Sequence, residues 1–187
     1  MLNAAVIGLG WWGKQIVTCL AESDKINVVR AVDVDHNAVA GFAVAHDLPL
    51  GNSYDDVLAD PAVDAVILVT PHLLHEEQVL AAAAAGKQIF CEKPFALNAD
   101  AAKRMLAACA EKDIVVGIGH ERRFEPALEA MKAHLDGGDF GTLIHIECNW
   151  SHNNFTKNVA SGWRKDPKQA PAGTLTALGV HITDYFQ

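Results

Sequence analysis

Val6-Ile7-Gly8-Leu9-Gly10-Trp11-Trp12-Gly13 is the stretch that decides the fold of the N-terminal half. It places a G-x-G-x-x-G pattern between a short apolar strand and a segment of helical length, which is the context in which the pattern carries information. There Gly8 permits a tight turn, Gly10 lets a pyrophosphate approach the backbone, and Gly13 lets helix and strand pack closely. N–H groups at the helix start would face the phosphates. The stretch therefore predicts a dinucleotide-binding turn.

On both sides of this turn, apolar β-branched runs alternate with Ala-rich segments of helical length. This alternation predicts an α/β fold with a doubly wound, parallel Rossmann sheet. We expect strands at Asn3–Ile7, Asn27–Val32, Asp64–Thr70, Gln88–Cys91 and Ile114–Ile118. We expect helices at Trp11–Ala21, at about 37–46, from a Ser53 cap to Leu58, at Glu76–Ala85, and from a cap at Asn98 or Asp100 to about Lys112.

The pattern changes near Arg122, so we expect a Rossmann domain at residues 1–122 and the beginning of a second domain at residues 123–187. Glu125–Leu135 is predicted to be an amphipathic helix that ends at Gly137-Gly138. From Leu143 to Trp150 apolar and polar residues partly alternate, which favours an antiparallel strand with one solvated face.

Composition excludes several classes of function. The net charge is −8 with no Lys/Arg-rich run, which argues against nucleic acid as a partner. Four cysteines are scattered singly, as expected for free thiols in a reducing cytosol. No apolar segment reaches about 18 residues, so we expect no contact with a membrane and a cytoplasmic location. His72 and His75 have no third ligand at a suitable spacing, so no metal site is predicted.

Asp33 stands at the end of the second strand, where a carboxylate can accept hydrogen bonds from both adenosine ribose hydroxyls. The same carboxylate would repel the 2′-phosphate of NADP, so NAD is favoured over NADP. Two alternatives remain open: Asp33 merely ends a strand, or Asp35 and His36 complicate the choice of cofactor.

Five further segments carry a resemblance to one family. They are Thr70-Pro71-His72-Leu73-Leu74-His75, Gly86-Lys87-Gln88-Ile89-Phe90-Cys91-Glu92-Lys93-Pro94, Gly119-His120-Glu121-Arg122-Arg123-Phe124, and Trp163-Arg164-Lys165-Asp166-Pro167 followed by 173–184. In order and spacing they resemble the TPxxxH, AGKxxxxEKP, GxxRRF, WRxD and GxHxxD signatures of the Gfo/Idh/MocA oxidoreductases. The resemblance covers essentially the whole chain, and it implies that the second domain is an incomplete α+β domain with an open, mostly antiparallel sheet.

The resemblance also implies roles for single residues. Lys93 would lie beside the nicotinamide and the reacting hydroxyl, where an ammonium can stabilise developing alkoxide charge while Glu92 fixes its position. His181 would take or return the hydroxyl proton. Many members carry aspartate four residues before this histidine, whereas this chain has Ala177. Either Lys93 and His181 suffice, or substrate and mechanism have shifted, or the site is inactive.

Two of the remaining candidates have two possible roles each. Asp184 could orient His181 or be a helix-surface carboxylate, and Arg122 could contact substrate or form a salt bridge. The predicted cofactor-binding residues are Gly8, Gly10, Trp11, Trp12, Gly13, Asp33, Thr70, His72, His75, Glu92 and Lys93. The predicted substrate-site residues are Arg122, Trp163, Arg164 and Asp184, beside the catalytic pair Lys93 and His181.

The resemblance implies an NAD(P)-dependent dehydrogenase that acts on a secondary alcohol of a sugar, an inositol-like polyol or a related compound. Two alternatives are an NAD-dependent glycosidase of the same fold and a nucleotide-binding module without turnover. The family's sheet implies a homo-oligomer, dimer or tetramer, in the full-length form. With one convincing strand after Arg122, we expect this 187-residue chain to be a fragment that binds NAD but turns over poorly.

Overall fold

The computed structural model describes residues 1–151, 166–173 and 175–187. Contacts within the chain divide it into two compact units, Met1–Ile118 and Gly119–Gln187. The domain boundary expected at residue 122 stays a prediction.

The first unit is built on a six-stranded sheet in which every neighbouring pair is parallel. Its strands are β1 (Leu2–Ile7), β2 (Ile26–Val32), β3 (Leu50–Gly51), β4 (Ala65–Leu68), β5 (Gln88–Cys91) and β6 (Val116–Ile118). The order across the sheet is β3-β2-β1-β4-β5-β6, so the chain reverses its direction of winding between β1 and β4. In an open parallel sheet, ligands bind outside the carboxyl ends of the strands at this reversal. The predicted Rossmann fold is confirmed, and its crevice lies after β1 and β4.

The central strands are apolar on both faces because helices cover both faces. In β1, Ala4 and Val6 pack into one hydrophobic cluster, whereas Ala5 and Ile7 pack into another. Alternate residues of β4 divide in the same way between the two clusters. This explains why the run 64–70 is apolar without alternation, and it gives the crevice a rigid base.

Two helices of the first unit begin at caps predicted from the sequence. Ser53 accepts a hydrogen bond from Asp56 N at 3.1 Å, and Asn98, rather than Asp100, accepts one from Ala101 N at 2.9 Å. The helices are α1 (Trp11–Leu20), α2 (His36–Ala45), α3 (Tyr54–Ala59), α4 (His75–Ala84) and α5 (Ala99–Glu111), with a 3₁₀ turn at His72–Leu74. No helix within the described ranges is both long and apolar enough to cross a bilayer.

The second unit contains a 3₁₀ turn at Glu121–Phe124, α6 (Pro126–Asp136), a π-helical segment at Leu175–Gly179 and α7 (Val180–Tyr185). The strand predicted at Leu143–Trp150 is wrong for this structure, since these residues have no regular structure and Ile144 is 91% exposed. A strand is defined by hydrogen bonds to a neighbouring strand, and the described residues offer this segment no partner.

Candidate functional site

The turn after β1 requires glycine at two positions for steric reasons. Gly8 has φ +98°, and a Cβ built on it would lie 2.7 Å from the carbonyl oxygen of Val69, just after β4. A Cβ on Gly13 would lie 2.0 Å from the carbonyl oxygen of Gly8. At Gly10, by contrast, nothing lies within 4 Å of the Cβ position. Gly8 and Gly13 bring strand, loop and helix together, and Gly10 leaves open the space that a pyrophosphate would need.

The start of α1 is open to a ligand, and Asp33 fixes the loop that precedes it. Among the described residues no side chain caps α1, and its first turn carries no acidic residue. Helix N-termini of this kind bind phosphate through free N–H groups. Asp33 Oδ2 accepts a hydrogen bond from Leu9 N at 2.7 Å, and Asp33 Oδ1 accepts one from Asp35 N at 2.8 Å. The carboxylate expected to read the ribose therefore also holds the glycine loop in place.

Lys93 lies just after β5 and is half-buried, in a segment held by the buried Glu92. Glu92 Oε2 accepts a hydrogen bond from Lys93 N at 3.1 Å. Glu92 Oε1 accepts one from Trp12 Nε1 at 2.5 Å. The first turn of α1 and the Lys93 segment are thus joined by one carboxylate at the carboxyl edge of the sheet. The peptide bond between Lys93 and Pro94 is cis.

The Thr70 segment follows β4 and is held by two side chains of α4. The Thr70 hydroxyl donates to Gln78 Oε1 at 2.5 Å. His75 is fully buried, with Nδ1 2.9 Å from the carbonyl oxygen of Pro94 and Nε2 3.1 Å from that of Thr70. A neutral imidazole donates to one of these oxygens at a time. We expected His75 to bind the cofactor, but its buried ring can act only indirectly, by holding the Thr70 and Pro94 segments.

His75 gives a testable pH dependence. Burial lowers its pKa, and hydrogen bonds to backbone carbonyls oppose that effect only in part. Above about pH 6.5 the ring is neutral in both folded and unfolded chains; below it, the unfolded chain takes up a proton that the folded chain resists. The His75 contribution to stability is therefore lost as the pH falls below about 6.5. In His75→Gln, denaturant unfolding should show a smaller loss of stability from pH 7 to pH 5 than in the wild type.

His46→Gln serves as the control, because it removes an exposed histidine from the same unit. At pH 7, His75→Gln should cost roughly 1–3 kcal/mol, since a buried hydrogen-bonding group is replaced imperfectly. If His75→Gln and His46→Gln have the same pH dependence of unfolding, the buried neutral state of His75 is wrong.

Two predicted cofactor residues lie nearer the surface. Trp11 is 74% exposed, with its ring centroid 5.4 Å from that of Trp12. His72, in the 3₁₀ turn after β4, is partly exposed, with its ring centroid 5.7 Å from that of His75. Both side chains have surface to offer a ligand, and their contact with a cofactor stays a prediction.

In the second unit, His181 and Asp184 share one cluster on α7. His181 is 2% exposed, and its ring centroid lies 6.0 Å from that of His120. Arg123 donates to both oxygens of Asp184, with Nε to Oδ2 at 3.0 Å. Burial works to raise the pKa of Asp184, but the Arg123 hydrogen bonds and the nearby His120 outweigh it, so the pKa lies below its usual range. Asp184 is thus the partner of Arg123, and contact with a substrate is left as a prediction.

The other predicted substrate residues divide between described and undescribed parts of the chain. Arg122 donates to Glu125 Oε1 at 2.8 Å and stacks over the Trp150 ring at 4.8 Å, which corresponds to the salt-bridge alternative. Trp163 and Arg164 lie outside the described residues. Ala177 lies in the π-helical segment that leads into α7.

Three contacts of candidate residues, two in the first unit and one in the second, were not anticipated. The pairs are Trp12 with Glu92, Gln78 with Thr70, and Arg123 with Asp184. Only the second is local in sequence: Gln78 lies eight residues after Thr70, whereas the other pairs are separated by 80 and 61 residues. The described residues contain no group of three or more His, Cys, Asp or Glu side chains that could hold a metal ion.

Comparisons with known proteins match both parts of the chain to one family. The model of the GFO/IDH/MocA oxidoreductase family, NAD-binding Rossmann fold, matches residues 2–120, and that of the GFO/IDH/MocA C-terminal domain matches residues 128–187. A 1,5-anhydro-D-fructose reductase of Ensifer adhaerens is 31% identical over 182 residues, which is 92% of this chain and 54% of that protein. A scyllo-inositol 2-dehydrogenase (NAD(+)) of Bacillus subtilis (strain 168) is 34% identical over 155 residues, 78% of this chain and 43% of that protein.

Among solved structures, a candidate NADPH-dependent oxidoreductase from Desulfitobacterium hafniense DCB-2 superposes with a TM-score of 0.91 at 30% identity. The match covers 100% of this chain and 54% of the chain from Desulfitobacterium hafniense. The chain therefore spans about half the length of the proteins it matches. Given the two matched regions and the glycine turn at the strand-order reversal, the chain belongs to the Gfo/Idh/MocA family of oxidoreductases.

Proposed function

We propose that the protein transfers a hydride reversibly between a nicotinamide cofactor and a secondary alcohol of a sugar, an inositol-like polyol or a related compound. The observation that carries this proposal is the position of Lys93 after β5, in a segment joined through Glu92 to the glycine turn after β1. A lysine placed beside a cofactor site can stabilise oxygen charge next to the transferred hydride. The relatives described above include a sugar reductase and an inositol dehydrogenase, which supports the substrate class.

The roles of the chain's own residues follow from their chemistry. The open α1 start and Gly10 would hold the pyrophosphate, and Thr70 and His72 would line the cofactor. When bound, the oxidised nicotinamide supplies the hydride acceptor. Lys93 would hydrogen-bond the substrate oxygen and stabilise it as its proton leaves, and His181 would accept that proton. The substrate alcohol thereby becomes a ketone.

The direct test is a substrate panel. With NAD and a panel of polyols and sugars, the full-length protein should give substrate-dependent absorbance of reduced nicotinamide. Light scattering on the same sample tests the dimer or tetramer that we propose for the full-length form. Hydrolysis of nitrophenyl glycosides would instead support the glycosidase alternative. Tight NADH binding without turnover on any compound would contradict the proposal and support a binding module.

For the cofactor, we infer that NADH binds more tightly than NADPH. A carboxylate at the adenosine ribose repels a 2′-phosphate, and such like-charge contacts cost several kcal/mol, so we expect a preference of about 10-fold or more. Fluorescence transfer from the tryptophans to bound nicotinamide measures both affinities. Asp33→Ala should narrow the preference and also weaken both cofactors, because Leu9 N loses its acceptor.

Asp35→Asn is the matched control, since asparagine can retain the cap that Asp35 provides to Ala38 N while removing a neighbouring charge. The control should keep the preference of the wild type. If Asp35→Asn narrows the preference for NADH over NADPH and Asp33→Ala does not, Asp35 is the residue that selects the cofactor. If the wild type binds NADH and NADPH equally, or binds NADPH more tightly, the assignment to NAD is wrong.

A further inference from the structure

One hydrogen bond spans the site and belongs to neither the glycine pattern nor the lysine. Trp12 lies in the first turn of α1, where the cofactor phosphates are expected, and Glu92 lies directly before Lys93. The indole Nε1 donates to Glu92 Oε1 at 2.5 Å, although 80 residues separate the two positions. The second oxygen of the same carboxylate accepts from Lys93 N at 3.1 Å.

The surroundings make this arrangement strong. Glu92 is 7% exposed, and hydrogen bonds to a charged acceptor are shorter and about twice as strong as neutral ones. A carboxylate offers only acceptor oxygens, and here each oxygen receives an N–H donor from a different segment. Rotating or moving Glu92 would lengthen at least one bond, so its position fixes the backbone of Lys93 relative to α1.

We propose that Trp12 is a positioning residue, whose indole N–H holds Glu92 and thereby sets the place of Lys93 relative to the phosphate turn. The proposal rests on the proposed function of Lys93 and adds a residue that does not itself react. The N–H group is the essential feature, since a phenyl ring would occupy much of the same space without holding the carboxylate. A misplacement of about 1 Å at a reacting group can cost on the order of 100-fold in rate.

Trp12→Phe retains an aromatic ring and removes the donor. In the full-length protein on its identified substrate, we expect kcat to fall by about 10- to 100-fold. The KM for NAD and the affinity for ADP-ribose, which lacks the nicotinamide, should both stay within about threefold, because the N–H groups at the start of α1 remain. A merely structural role of the indole would instead weaken ADP-ribose and NADH alike.

Tyr54→Phe is the matched control. It also removes one donor from a retained aromatic ring of the same unit, because the Tyr54 hydroxyl donates to the carbonyl oxygen of Gln78 at 2.8 Å. Tyr54→Phe measures the cost of losing a ring donor alone, whereas Trp12→Phe also removes part of the ring volume, so we expect the larger loss of stability in Trp12→Phe. Tyr54→Phe should keep kcat within about twofold of the wild type. Equal effects on kcat in the two variants would overturn the proposal.

Glu92→Gln tests the shared carboxylate. Trp12 and Lys93 N donate to different oxygens of Glu92, and in glutamine one of these two positions is an NH2 group, which cannot accept. One of the two donors therefore loses its acceptor. In the Trp12→Phe background this conflict disappears, because the amide oxygen can turn to Lys93 N. The loss of kcat in the double variant should therefore be smaller than the product of the two single losses. If it equals that product, the two residues act independently.

A spectroscopic test separates failure of this inference from failure of the proposed function, because it needs no substrate. In ¹⁵N-labelled protein, Trp12→Phe should shift the backbone amide resonance of Lys93, whereas Tyr54→Phe should leave it in place. Glu92→Gln should shift the indole N–H resonance of Trp12. If the Lys93 amide does not respond to Trp12→Phe, the positioning role is wrong whether or not a substrate is found.

Discussion

Gly13→Ala is expected to disrupt the glycine turn and abolish measurable cofactor binding. The added methyl would lie 2.0 Å from the carbonyl oxygen of Gly8, and that contact involves backbone on both sides. No side-chain rotation can relieve it, so α1 must move away from β1. Overpacking of this kind costs about 1–3 kcal/mol and occasionally more. We expect the melting temperature to fall by roughly 5–15 °C and NADH affinity to fall by at least about 100-fold.

Gly10→Ala provides the comparison on the same loop. Gly10 has φ −60°, and nothing lies within 4 Å of its Cβ position. This variant should therefore melt within about 2 °C of the wild type while binding NADH about 10-fold or more weakly, because the methyl fills space expected for the pyrophosphate. If Gly13→Ala melts and binds like the wild type, the close packing of α1 on the turn is wrong. If Gly10→Ala binds normally, the phosphates lie elsewhere.

Lys93→Ala in the full-length protein should lower turnover by about 100-fold or more, with NAD affinity largely intact. General acid–base groups contribute about 100- to 10,000-fold, and oxyanion-type stabilisation is of similar size. Binding should survive because the glycine turn, Asp33 and Thr70 are fixed by contacts that do not involve the Lys93 ammonium. The measurements are kcat on the identified substrate and NADH affinity by fluorescence transfer.

Lys103→Ala is a suitable control, since it removes an ammonium from the surface of α5, where the side chain is 78% exposed. Its turnover should equal that of the wild type. Turnover of Lys93→Ala at the level of Lys103→Ala would remove Lys93 from the mechanism. A parallel loss of NADH affinity would instead make Lys93 a cofactor-binding residue only.

Much of the first unit could be read from local pattern. The strands and helices around the glycine turn were predicted to within a few residues, because caps such as Ser53 and a C-terminal Gly86 at φ +75° act on their immediate neighbours. β3 was missed, since its two residues, Leu50–Gly51, are too short to show any periodicity. Leu143–Trp150 alternates like a strand, yet alternation cannot supply the partner strand that a ladder needs.

The sequence by itself determined the α/β class and the position of the cofactor turn, because glycine spacing, caps and apolar periodicity are short-range properties. Its motifs, such as Glu92-Lys93-Pro94, carried the resemblance to the family. Only the tertiary structure decided which distant residues hold the candidate residues of each unit in place. Trp12 meets Glu92 across 80 residues, and Arg123 meets Asp184 across 61. It also showed that the ring of His75 is buried, within hydrogen-bonding distance of two backbone carbonyls. Such contacts depend on which strand ends meet at the sheet edge and on which ring is enclosed. Both follow from packing the whole chain, which no local pattern encodes.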